Sequence, residues 1–422
     1  MKLVVCVPTA SSDCYGHLSR YAEQLSNTGN EHGYDVRILR FGTSEFLQNL
    51  LAALADEDTV VHFHCFLYDL QLNFGPGDPR TRHLLDDARA TVLATISDHP
   101  FSDFMQNMIR NAHPRTNFIV IEKTFPDEMC AINPRLSDAR FDFQRFGPPQ
   151  NFDSTLITAF SERSFDLVIP VRIVDLTGRD IDALCAKIRT PWLSNAIAAT
   201  YETSIRDISR STFHVFLEHL STNLGGASFA DIREYKPQAA DCILNAMSAV
   251  DGLVRQGRRH RMIRSLLRSV GDLKVGVLCD PVPGVKVDEN VQFLGQRQTP
   301  ETIRLMADTR ALLNCNPTYP SNLHERVTVG MLYGSCVITD VNPCIDKTFS
   351  RDEFLPYGPG YSATIADIFA DYDVEAVGAA AAAKVQGDRA YSWEGHFDEL
   401  QRVIATSRLP PQAAAPPAVQ YA

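Results

Sequence analysis

The chain has 422 residues, too many for one typical core, so two or three domains are expected. With 45% hydrophobic and 22% charged residues it has the composition of a globular protein, and its net charge of −11 argues against a general nucleic-acid or anionic-membrane binder. No run of about 18 apolar residues occurs, so no membrane-spanning helix is expected.

The opening MKLVVCVPTASSDCYGH reads as a first buried strand, KLVVCVPT at 2–9, rather than as a signal peptide. HLSRYAEQLSN (17–27) follows at helical period, and between them Gly16 and His17 sit in a loop that reads as an ordinary turn. DVRILRF (35–41), a helix near 43–56 and TVVHFHCF (59–66) continue the alternation. A period of two puts His62 and His64 on one strand face, with His64 nearer the carboxyl end; two histidines alone do not complete a metal site. A Gly/Pro loop at 75–82 and a helix near 80–89 lead to TVLATISD (91–98). Asp98 and His99 end that strand and Pro100 breaks away. This places a candidate general base at a cleft edge, although Asp98 is equally suited to capping the helix near 101–112. NFIVIEK (117–123) and FDLVIPV (165–171) complete a first βαβα half.

Strand signals fade from 177 to 268, where the pattern is helical. GRRHRMIRSLLR (257–268) has one buried face. Its arginines read as a solvated basic face, with Arg258 and Arg259 as candidates to reach a phosphate. Alternation then resumes: strands 272–280 and 290–296, a Thr-capped helix 299–309, strand 310–317, helix 322–333 and strand 335–341. Helices at 364–371, 373–386 and 393–406 precede a Pro/Ala-rich tail expected to be disordered. The fold expected is α/β: two doubly wound Rossmann-like domains facing a cleft, joined by a helical segment. The boundaries are 1–176, 177–268, 269–408 and a tail at 409–422.

The stretch NLHERVTVGMLYGSCVITD (322–340) carries the most information. Leu323, Val327, Gly330, Met331 and Gly334 form one buried stripe, Gly330 implies close approach of a neighbour, and Gly334 suits a left-handed helix end. Asn322 and Glu325 have the form of a capping box. The alternative is a helix end that faces a diphosphate, with Glu325 accepting from a sugar hydroxyl and Arg326 offsetting phosphate charge.

Taken in order, VQFLGQ, TPETIRLMADTRALLNCNPT and NLHERVTVGMLYGSCVITD resemble the nucleotide-sugar domain of GT-B glycosyltransferases, most nearly the group-1, CgeB-like branch. The likeness covers about 272–345 and, more weakly, Trp393 and Phe397 in the last helix. It implies a hexosyltransferase-type enzyme that moves a sugar from a nucleotide-activated donor to an acceptor nucleophile. The donor would be held by Asn322, His324, Glu325 and Arg326, with Gly295, Asn314, Asn316 and Arg259 nearby. Asp98, His99 and Glu325 would be catalytic, and Gly16, His17 and His64 would lie on the acceptor side. Relatives often carry a ribose-binding Glu where this chain has Val329. No cofactor and no metal are expected, since the resemblance implies a site that works without a bound metal. P-loop, HExxH and GxSxG signatures are missing from the sequence. Ten scattered cysteines without a CxxC pair fit free thiols, several of them buried, in a reducing cytoplasm. The acceptor stays open among small molecules, glycans and proteins. An epimerase or hydrolase on the same scaffold, or a non-catalytic sugar-nucleotide binder, remains the alternative.

Overall fold

A computed structural model describes residues 1–9, 13, 16–64, 70–72, 82–145, 152–267, 270–282, 287–316, 319–357 and 364–407. Tyr15, Cys14, Cys65, the Gly/Pro loop through 81 and the tail at 409–422 lie outside these residues.

Two six-stranded sheets organise the chain. In the first, the spatial order is Asp35–Arg40, Lys2–Val7, Thr59–His64, Thr91–Ile96, Asn117–Val120 and Arg140–Phe143, with every pairing parallel. Parallel sheets need cover on both faces, and the strand Lys2–Val7 shows why KLVVCV is apolar throughout. Leu3, Val5 and Val7 pack under the helix His17–Glu31 and the last helix, Trp393–Ser407. Val4 and Cys6 face the opposite way, into a core shared with Phe63, Phe118, Phe213 and Met247. That core takes in helices Pro191–Ser204 and Thr212–Asn223 and the first half of Pro237–Leu266, so most of the connecting segment belongs to the first domain. The strand Arg140–Phe143, from the short R-F-D-F alternation, was not among the expected elements.

The second sheet runs Val291–Phe293, Val275–Val277, Phe165–Ile169, Thr309–Asn314, Cys336–Asp340 and Leu355–Tyr357, again parallel throughout. Two expectations change here. The strand Phe165–Ile169, read as the end of the first half, is a central strand of the second sheet, paired with Val275–Val277 and Thr309–Asn314. The last helix, assigned to the second domain, returns to the first: Phe397, Leu400, Val403 and Ile404 bury against Leu3 and Val60. Local pattern gives each element its type, but which sheet recruits a short apolar strand depends on contacts distant in sequence.

The 30-residue helix Pro237–Leu266 joins the halves. Val250 and Val254 pack in the first core, whereas Met262 and Ile263 pack in the second beside Val275 and Ala311. Cys6, Cys279 and Cys336 are buried, and burial pushes the Cys279 thiol up to about 11 and that of Cys336 to about 12. Among the described residues no helix is long and apolar enough to cross a membrane.

Candidate active site

The second sheet reverses its direction of growth between Phe165–Ile169 and Thr309–Asn314. Open parallel sheets take ligands beyond the carboxyl ends of their strands at such a switch point. A cavity of about 290 Å³ lies there. Pro170, Val171 and Arg172, which follow the switch strand, form one wall, with Gln296 and Arg297 after the strand Val291–Phe293. Glu325, Arg326 and Val329 form another wall, and His17 of the first domain completes the rim.

The helix at the cavity runs Glu325–Leu332, three residues shorter at its start than expected. Its cap is His324, whose Nδ1 accepts the Arg326 N–H at 3.4 Å. Burial, reinforced by Arg326, holds the His324 imidazole well below its ordinary range, which suits an acceptor. The capping box read into Asn322 and Glu325 does not form. Asn322 instead donates through Nδ2 to the Ile121 carbonyl of the first domain and accepts from the Leu323 N–H at 2.8 Å. Glu325 is freed for the cavity, and its Oε2 lies 3.4 Å from His17 Nε2, a contact across the two domains. The other end of the helix follows the sequence. Gly334 has φ +73°, with Ser335 N–H bonded to the Gly330 carbonyl at 3.0 Å, and a Cβ on Gly330 would meet Leu312 at 2.8 Å.

The electrostatics of this corner are unusual. Arg326 Nη1 is enclosed and lacks a hydrogen-bond partner among the described residues. Burial lowers its pKa from the ordinary arginine value, and Glu325 is the carboxylate that opposes the shift. Arg259 reaches the same corner from the bridging helix. Its Nη1–H donates to the Arg172 carbonyl at 2.8 Å, and its enclosed Nε has no hydrogen-bond partner among the described residues. Burial and the neighbouring Arg326 bring Arg259 down to about 10. Two guanidiniums held close together, with donors unsatisfied, call for an anion with several acceptor oxygens.

The other expected site residues are more dispersed. Gly295, at φ +70°, turns the chain into Gln296 and Arg297 without lining the cavity itself. Asn316 closes a turn, bonding Tyr319 through both ends of its amide while its N–H reaches Asp340 Oδ2 at 2.7 Å. Asn314 bonds Thr339 Oγ1 at 2.9 Å. Arg258 donates to the Ser204 and Asp207 carbonyls and so holds the helical segment together. Gly16 takes φ +81°, and His17 begins the helix whose first-turn N–H groups, those of Leu18 and Ser19, bond the Asp13 carboxylate at 2.7 and 3.0 Å. His64 does not line the cavity: it stacks on Tyr21 with ring centroids 3.4 Å apart, and burial keeps it well below the ordinary histidine range.

His99 is the clearest correction. It is 1% exposed, with Nε2 3.3 Å from Glu128 and Nδ1 3.4 Å from Asp251, both carboxylates fully buried. A histidine enclosed in this way anchors the bridging helix to the first sheet and cannot meet an acceptor in the cavity. Asp98 is exposed at the strand end and bonds the His99 N–H at 2.8 Å. Sequence reasoning missed Arg172, Arg297, Asp13, Glu122 and Ser321. Arg172 would have been found had FDLVIPVR been recognised as a strand of the second sheet, because its carboxyl end then falls at the switch point.

Residues 255–402 match the family described as glycosyl transferase-like. The chain is similar to T4 phage BGT in complex with its UDP-glucose substrate, with a TM-score of 0.50 at 9% identity over 94% of this chain and 99% of that one. It is also similar to Anabaena Alr3699/HepE in complex with UDP-glucose, with a TM-score of 0.46 at 10% identity over 96% of this chain and 100% of that one. No curated protein sequence gives a significant match. The likeness to the phage protein shows the two-sheet GT-B fold. The family match, over about a third of the chain that supplies most of the cavity lining, supports sugar transfer from a nucleotide-activated donor.

Proposed function

We propose that the chain is a metal-independent hexosyltransferase that moves a sugar from a nucleoside diphosphate to an acceptor nucleophile. The observation that carries this reading is the pair Arg326 and Arg259. Arg326 lines the cavity at the switch point of the second sheet, Arg259 stands beside it, and Arg326 Nη1 and Arg259 Nε are enclosed without a partner among the described residues. A diphosphate supplies the missing acceptors, and its negative charge grows as it leaves, so the arginines act most strongly in the transition state.

The remaining residues suit a transfer. The acceptor oxygen attacks the anomeric carbon, the bond from that carbon to the phosphoryl oxygen breaks, and its electron pair stays on the diphosphate. His17, at the rim beside Glu325, takes the acceptor proton, and Glu325 accepts from a sugar hydroxyl. The cationic pair supplies the charge that a metal would bring, hence metal independence. The order of LLNCNP and HERVTVG supports reading the chain as one of the group-1, CgeB-like branch, and the free buried thiols favour the reducing cytoplasm. Val329, an apolar side chain against the cavity where the resemblance implies a ribose-binding acid, favours a second reading, a non-catalytic sugar-nucleotide binder.

Titration of UDP, GDP and dTDP and their hexose conjugates by calorimetry, followed by product analysis with the best ligand, tests both readings. Binding with turnover that survives EDTA is expected. Binding without any product selects the silent binder. Activity lost to chelator and restored by manganese overturns metal independence, and no binding by any of the set overturns the donor site.

A further inference from the structure

The segment that leads into the cationic corner is tied to the other domain. Tyr319–Asn322 precedes His324, Glu325 and Arg326 by a few residues, and the first domain grips it at the carboxyl ends of two of its strands. Tyr319 O–H donates to the Ser97 carbonyl at 3.1 Å, just beyond the strand Thr91–Ile96. Beyond the strand Asn117–Val120, the fully buried Glu122 accepts the Ser321 N–H at 2.9 Å through Oε2 and the Ser321 hydroxyl through Oε1. Asn322 Nδ2 donates to the Ile121 carbonyl. On the far side, Asn342 Nδ2 holds the Tyr319 and Asn322 carbonyls at 2.8 Å each. The segment is therefore pinned between the domains and is short enough that pulling its start displaces its end.

We propose that Glu122 is a positioning residue, an interdomain latch that couples closure of the two sheets to presentation of the Arg326 guanidinium at the cavity. Separating the domains with the latch intact drags the start of the helix. Separating them by breaking it strips a buried carboxylate of two donors, leaving it the N–H groups of Lys123, at 2.7 Å, and Thr124. Either way, the arrangement that holds a diphosphate and the closed arrangement are one state, so binding and closure reinforce each other. The coupling half of this proposal rests on the donor reading above. Burial raises the Glu122 carboxyl and the Ser321 bonds oppose that rise, in keeping with a carboxylate that needs its partner domain. Lys123 is the titratable group next to it in the chain, and Cys344, on the helix Pro343–Thr348, interacts with both.

The test uses the full chain with Glu122→Ala, Glu122→Gln and Ser321→Ala, read by hydrogen exchange at residues 321–327, by small-angle scattering and by UDP titration. Glu122→Ala is expected to speed exchange at least tenfold, to raise the radius of gyration and to weaken UDP about tenfold. Glu122→Gln, whose carbonyl oxygen can still accept from Ser321, is expected to keep exchange, dimensions and UDP binding close to those of the wild type. Ser321→Ala keeps the carboxylate and gives an intermediate effect even if Glu122→Ala does not fold. Wild-type exchange and dimensions in Glu122→Ala and Ser321→Ala overturn the latch, as does weaker UDP binding without faster exchange. A wild-type chain that binds no nucleoside diphosphate overturns the donor reading and the coupling, while exchange and scattering still decide the latch.

Discussion

Two clusters of charge lie one turn apart along the bridging helix, at Asp251 and Arg255 and at Arg259, and they differ in the sign of the charge they carry in excess. Around His99, two carboxylates, an imidazole and the Arg255 guanidinium face one another, with Arg255 Nε 3.0 Å from Asp251 Oδ2. Around Arg326, the neighbouring Arg259 adds like charge, and the carboxylate beside Arg326 is the partly exposed Glu325, which also faces His17. The first cluster sets opposite charges against one another within the fold, although Glu128 Oε2 and both Asp251 oxygens lack a hydrogen-bond partner among the described residues. The second is short of negative charge and opens onto a cavity. Titratable residues in a cleft-forming fold mark a binding site when their charge is left unbalanced, more reliably than when they merely stand at a strand end.

The sharpest way to break this contrast is to unbalance the first cluster. Arg255→Met leaves Glu128 and Asp251 buried with His99 alone, and about 3–5 kcal/mol of unfolding free energy is expected to be lost in a urea titration. A loss under about 1 kcal/mol would mean the carboxylates do not depend on the guanidinium. The matching change in the second cluster has the opposite signature. Arg326→Met removes charge-assisted bonds to phosphate worth about 1.5–3 kcal/mol, so UDP affinity measured by calorimetry falls roughly 10- to 150-fold. Stability does not fall, because an enclosed donor without a partner has gone. Reduced stability with unchanged UDP binding would make Arg326 a structural residue like Arg255.

Smaller effects sharpen the picture. Glu325→Gln keeps charge off the sugar side while preserving shape. UDP affinity stays within about twofold, whereas kcat/KM for the nucleotide sugar falls about fivefold, the worth of one hydrogen bond near 1 kcal/mol. Turnover equal to wild type would remove Glu325 from sugar recognition. Last, burial raises the Asp340 carboxyl to about 6. The folded chain therefore takes up this proton before the unfolded chain does. Between about pH 6 and the ordinary aspartate range near pH 4, this group makes the folded state more stable as pH falls. Asp340→Asn is expected to remove that component from the pH dependence of the urea midpoint, and an unchanged profile would show that the carboxyl titrates normally.

The sequence by itself determined the local structure. The alternation of short apolar runs with helical stripes, a close neighbour at Gly330 and the left-handed turn at Gly334 were all legible. These follow from side-chain periodicity and backbone sterics, which act over a few residues. Tertiary structure alone decided the membership of Phe165–Ile169 in the second sheet, the return of Trp393–Ser407 to the first, the enclosure of His99 and the use of Asn322 as an interdomain tie instead of a cap. The physical reason is the same in each case: whether a short strand, an amide or a charged side chain is satisfied locally or by a distant partner depends on which surfaces meet, and the burial and charge balance that settle it arise only once the two sheets have packed.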